Sequence, residues 1–118
     1  MREILFRGYN KETKKWYYGM LGKFDNKYFI DDGTGTKPFV EEKSIGQYTG
    51  FVDEDGEKIF EGDIIDAGFG VVLTVEFDYI GEWIAKNEDR EQTRILYELQ
   101  LSSMCRVIGN KYEHSEAE

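Results

Sequence analysis

Tyr48-Thr49-Gly50-Phe51-Val52-Asp53-Glu54-Asp55-Gly56-Glu57-Lys58-Ile59-Phe60 is the stretch whose reading decides the fold. Two apolar runs flank an acidic turn that contains Asp55-Gly56. That dipeptide between apolar runs marks a β-hairpin, because glycine accepts a positive φ and aspartate bonds its own backbone. Downstream, residues 62–66 read as a strand that leads into a second turn at Ala67-Gly68-Phe69-Gly70. Residues 71–77, Val-Val-Leu-Thr-Val-Glu-Phe, form the longest β-branched run and read as a buried central strand. Alternation there puts the odd-numbered residues on one face. Trp83-Ile84-Ala85 and residues 106–110 read as the following strands.

Upstream the same grammar continues. Residues 3–8 read as a strand, Asn10-Lys11-Glu12-Thr13 as its turn, and residues 16–21 as a second strand. Asp25-Asn26 turns the chain into residues 27–30, residues 31–35 form a loop, and Phe39-Val40 begins another extended piece. Thirteen glycines and the single Pro38 suit short strands joined by turns rather than helices. Residues 87–104 carry two readings. Ile95, Leu96 and Leu99 have helical spacing, whereas Leu99 and Leu101 alternate as in a strand. A loop, a strand and a short turn at Ser102-Ser103-Met104 is the preferred order. From His114 onward the chain is polar and acidic and is expected to be a frayed tail.

The 118 residues suit one domain, of about 100–200 residues, with a core sufficient to fold without disulfide or metal. Apolar residues make up 40% and aromatics 15%, which outweighs a charged fraction of 33% and argues for a packed β domain over disorder. Cys105 is the only cysteine, so nothing calls for an oxidising compartment. The apolar run Ile4-Leu5-Phe6 is far shorter than the ~7–15 residues of a signal-peptide core. No window approaches the ~20 apolar residues of a membrane span. A cytoplasmic protein without membrane contact is expected.

Net charge is −9 and unevenly spread: residues 1–27 sum to +4 and the remainder to −13. Such asymmetry fits a polyanion site at the basic end, or basic and acidic surfaces meeting between subunits. Arg2, Arg7, Lys14 and Lys15 lie close in sequence to Tyr9, Trp16 and Tyr18. Aromatics can stack on bases while cations hold phosphates, so these seven residues form the candidate binding surface. Their duller role is core and interface, and the acidic balance of the chain argues against general nucleic-acid binding.

Catalytic and metal chemistry find little support. Asp53-Glu54-Asp55-Gly56 resembles a calcium loop, but aligning Gly56 at position six puts Phe51 and Gly62 where carboxylates are required. One cysteine and one histidine cannot furnish a four-ligand zinc shell. Cys105 beside Arg106 reads as a small buried apolar residue, and His114 lies too far into the tail to activate it. Ser102-Ser103 lacks a nucleophile elbow, and Gly68-Phe69-Gly70 precedes a strand instead of a helix, so it is no dinucleotide fingerprint. Glu61, Asp63 and Asp66 could serve acid–base work. The simpler expectation is that Asp63 bonds a turn while Glu61 is exposed. No catalytic residue, cofactor or metal ligand is assigned, and the chain is expected not to be an enzyme.

Three segments resemble the YopX family. Residues 4–11, Ile-Leu-Phe-Arg-Gly-Tyr-Asn-Lys, resemble its opening strand; residues 45–65 its most characteristic block; and residues 107–113, Val-Ile-Gly-Asn-Lys-Tyr-Glu, its closing motif. Two departures are visible: Glu113-His114-Ser115 where many members have Asn-Pro, and Gly8 where a small residue such as alanine is common. The resemblance implies a phage- or prophage-encoded protein of bacteria. It also implies a mostly β fold, with an SH3-like barrel element in the C-terminal part, and subunits that assemble. It brings no catalytic residues.

The resulting expectation is a single YopX-like domain over residues 1–118. Residues 1–47 form an N-terminal β segment, 48–112 a barrel-like β segment and 113–118 a tail. It would be a non-catalytic binding or assembly module that forms homo-oligomers or meets a host or phage protein. The alternatives are a nucleic-acid-binding or regulatory module using the basic aromatic face, and an acidic mimic that binds a host protein.

Overall fold

A computed structural model describes residues 3–78, 81–87, 93–102 and 105–117. The chain is mostly β, in two antiparallel sheets. It divides into two compact units, Met1–Tyr48 and Thr49–Glu118.

In the first unit β1 (Phe6–Asn10), β2 (Lys15–Phe24), β3 (Lys27–Asp31) and β4 (Phe39–Val40) pair in the order β4-β3-β2-β1, and the start of β5 (Gly46–Val52) lies beside β1. The strand expected over residues 3–8 instead runs to Asn10. Its side chain explains the shift: Asn10 Oδ1 accepts the N–H groups of Glu12 and Thr13 at 2.8 and 2.9 Å, so the strand ends where the Asx turn begins. Asp25 and Asn26 both take positive φ, 51° and 64°, which makes the tight β2–β3 turn. Beyond β4 the chain returns to β1, where Glu41 N–H donates to the Tyr9 carbonyl at 2.8 Å and Tyr9 N–H donates to Ser44 Oγ at 2.8 Å. Among its described residues, Ile30 and Val40 are the buried apolar side chains of this unit. Gly8 faces Val40 so closely that an added Cβ would sit 2.6 Å from its Cγ2.

In the second unit the end of β5 lies beside β6 (Lys58–Phe60). The intervening turn is the expected hairpin, with Gly56 at φ 83° and Asp53 N–H donating to the Glu57 carbonyl at 2.8 Å. The second sheet has the order β10-β9-β8-β7-β11, built from β7 (Asp63–Asp66), β8 (Val72–Phe77), β9 (Trp83–Lys86), β10 (Thr93–Ile95) and β11 (Arg106–Asn110). A five-stranded order with a helix before the last strand is compatible with an SH3-like barrel element. Leu73 and Val75 of β8 are fully buried, as the odd-residue face requires. They join Ile59, Ile65, Trp83 and Ala85 in one core.

Two helices replace expected irregular or extended chain. Leu96–Ser102 forms α1, where a strand was preferred, because Leu96 and Leu99 are both buried at a spacing only a helical turn provides. Lys111–Ala117 forms α2, where a frayed tail was expected. Asn110 Oδ1 accepts the Glu113 N–H at 2.9 Å, which caps the helix, and Tyr112 is buried. The part of the expected loop at 88–92 and the end of the turn at 103–104 lie outside the described residues.

Candidate functional site

The register of β1 on β2 sets which side chains share a surface. Arg7 faces Tyr18 and Tyr9 faces Trp16, so all four lie on one face. Arg7 is buried, its guanidinium 5.1 Å from the Trp16 ring centroid, and the Tyr9 and Trp16 rings sit 5.4 Å apart. Lys15 faces Asn10, one residue out of phase, and therefore belongs to the opposite face. Lys14 lies in the turn at φ 58°, and Arg2 is outside the described residues. The expected surface is thus only half assembled: its aromatics come together, but the two described lysines do not join them. Arg7 is buried against Trp16 rather than presented to a phosphate.

The same face extends in a direction the sequence reading missed. Alternation along β2 carries Trp16 and Tyr18 on to Met20, Gly22 and Phe24. Tyr18, Met20 and Phe24 are 46%, 53% and 69% exposed, and Phe39 from β4 is 45% exposed. The Phe29 ring covers Gly22, where an added Cβ would meet its Cζ at 2.2 Å. Lys27 Nζ lies 5.4 Å from the Phe39 ring centroid. The result is a row of exposed apolar groups with a lysine beside it. Exposed apolar groups clustered on one face of a sheet are the kind of feature that marks a candidate contact surface. The sequence held the signal, since residues 16, 18, 20 and 24 recur with period two.

A concave feature lies within the second unit. A groove of about 820 Å³ has Ile64, Val72 and Ile108 as its apolar part and Thr74, Asn87, Lys111 and His114 among its polar lining. Ile108 sits where the β11–β7 register shifts, at a bulge that turns it outward. This gathers residues from β7, β8, β11 and α2, far apart in sequence, and was not anticipated.

The family described as YopX protein matches residues 5–117. The chain belongs to the YopX family. No curated protein matches it.

Among the described residues of this YopX chain, several further groups that could carry chemistry are held in turns or in the core. Asp53 Oδ1 accepts the N–H groups of Asp55 and Glu57 at 2.9 and 2.8 Å, and its Oδ2 accepts Val107 N–H at 2.9 Å. Asp63 is buried, and its Oδ2 accepts Phe60 N–H at 2.7 Å, the turn-bonding role expected of it. Asp66 Oδ1 accepts Gly68 N–H at 2.9 Å. Glu61 is half-buried rather than exposed. Cys105 is buried, and desolvation, with Asp53, Glu54 and Asp63 adding repulsion, pushes its thiol up to about 11. A thiol so protonated is a poor nucleophile at neutral pH. Among the described residues no cluster of three or more His, Cys, Asp or Glu is placed to hold a metal ion. Among them, too, no helix is long and apolar enough to cross a membrane.

Proposed function

We propose that this YopX-family protein is a non-catalytic assembly module, phage- or prophage-encoded and working in the bacterial cytoplasm. It pairs with further copies of itself through the aromatic face of its first unit. The observation that carries this reading is the exposed row of Tyr18, Met20, Phe24 and Phe39. Burying such groups against a partner recovers about 25 cal/mol per Å² of apolar surface removed from water. Charge supports a second copy as the partner. Residues 1–48 carry nine basic and seven acidic groups, whereas residues 49–118 carry six basic and seventeen acidic, so the two halves of neighbouring copies attract.

Sedimentation velocity of the wild-type chain and of Met20→Glu tests it. Met20 is exposed, so a glutamate there leaves the fold intact and places a charge in the middle of the row. The wild type is expected to sediment as an oligomer and the variant as a monomer. Equal sedimentation of the two, at any mass, contradicts the reading.

A second reading draws on the acidic excess of residues 49–118: an acidic surface that occupies a basic site on a host protein. A pull-down from host extract that recovers no basic partner would remove it.

A further inference from the structure

The turn between β7 and β8 places a phenylalanine where turn chemistry favours glycine or asparagine. Ala67 N–H donates to the Val71 carbonyl at 2.8 Å and Val71 N–H donates to the Gly68 carbonyl at 3.0 Å, while Asp66 Oδ1 holds the Gly68 N–H. Within this tied turn Phe69 has φ 54°, between Gly68 at 90° and Gly70 at 78°. A bulky L-residue in the left-handed region carries a strain cost. The Phe69 side chain returns almost none of that on folding, since the residue is 95% exposed. An aromatic presented from a hydrogen-bonded turn, with its surface left in water, suits an interface anchor.

We infer that Phe69 is the anchor of the contact between copies and seats on the Tyr18–Met20–Phe24–Phe39 face of a second copy. The inference rests on the assembly reading above and adds to it the surface that the face receives. Its support is complementarity of two kinds. Phe69 and the receiving row are both exposed and apolar. The tip belongs to the strongly acidic residues 49–118, and the face to the mildly basic residues 1–48, with Lys27 Nζ beside Phe39. Because the two surfaces differ, the contact is heterologous. It closes into a ring where the rotation allows and otherwise continues from copy to copy.

The test uses two variants of the full chain, separately and mixed, followed by sedimentation and by thermal melting. Phe69→Asn keeps a residue that tolerates positive φ and removes the ring. Its melting temperature is expected to equal or exceed the wild type's, so that loss of assembly cannot be ascribed to unfolding. Its self-association is expected to weaken at least about tenfold, the effect of removing an anchor. Met20→Glu spoils the receiving face and keeps the tip. Mixed together, the two variants are expected to form a 1:1 pair, since one supplies an intact face and the other an intact tip. Wild-type association with Phe69→Asn unchanged overturns the anchor while leaving the assembly reading standing. Two dissociated variants that do not pair when mixed overturn the contact between unlike surfaces. A wild type that is a single chain at every concentration overturns both.

Discussion

The Asp53 carboxylate accepts the backbone N–H of Val107 at 2.9 Å, which joins the β5–β6 turn to β11 across 54 positions of chain. Beside it, Glu54 N–H donates to the Cys105 carbonyl at 2.9 Å. The hairpin that decides the fold is therefore also the clasp that fixes the last strand. Asp53 is buried, and its two oxygens together serve three backbone donors.

Replacing Asp53 by alanine leaves three N–H groups without that acceptor in a partly buried site. Each stranded donor costs on the order of 1 kcal/mol or more, so a loss of about 3 kcal/mol is expected. Urea denaturation measures it. A midpoint unchanged from the wild type would show that water replaces the carboxylate at no cost.

Gly8 is packed against Val40, which leaves no room for a side chain there. A Cβ at Gly8 would lie 2.6 Å from Val40 Cγ2 and 2.7 Å from its Cβ. Valine is stiff at χ1 and cannot swing aside, so the strands must separate. Gly8→Ala is expected to lose about 1–3 kcal/mol. The double variant with Val40→Ala is expected to be more stable than the sum of the single losses predicts, and a thermodynamic cycle reads that coupling. Strict additivity would mean that the two positions do not clash.

The Cys105 thiol gives the fold a pH dependence of known sign. Its folded value of about 11 lies above the ordinary 9.0, so the folded chain holds the proton more tightly than the unfolded one. The contribution is whole below 9.0 and is lost as pH rises through about 11. Urea midpoints taken on either side of that window are expected to fall more steeply for the wild type than for Cys105→Ala. Parallel slopes would place the thiol in water. A thiol-specific reagent is likewise expected to label the native chain only slowly.

The arrangement of Arg7 over Trp16 sets an expectation for nucleic acid. A stacking platform needs open rings with cations beside them. Here Arg7 is buried against the indole and Lys15 belongs to the opposite face. Titration of a single-stranded oligonucleotide at low and at raised salt is expected to show no strongly salt-dependent affinity. A steep salt slope would restore the basic aromatic face as a phosphate site.

Turn chemistry made most of the strands legible. Asp25-Asn26, Asp55-Gly56 and Gly68-Phe69-Gly70 each mark a reversal that the chain makes. The helices escaped for physical reasons. α1 has seven residues, too few for a period of 3.6 to stand out, and the pair Leu99 and Leu101 imitates a strand. α2 reads as a polar tail because, among its described side chains, its anchorage is the buried Tyr112 ring together with the cap from Asn110. Of the candidate surface, the aromatics Tyr9, Trp16 and Tyr18 do share one face. The error over Lys15 came from proximity in sequence, which says nothing of face until the register with Asn10 is known. Phe69 was seen only as part of a glycine-rich turn, because exposure cannot be read from residue type.

Assembly through the aromatic face is the claim on which the functional reading stands, and the molar mass of the intact wild-type chain in solution tests it most directly. Light scattering across a wide range of concentration is expected to give a mass that rises to a multiple of one chain and falls again on dilution. A mass of one chain at every concentration would contradict the account.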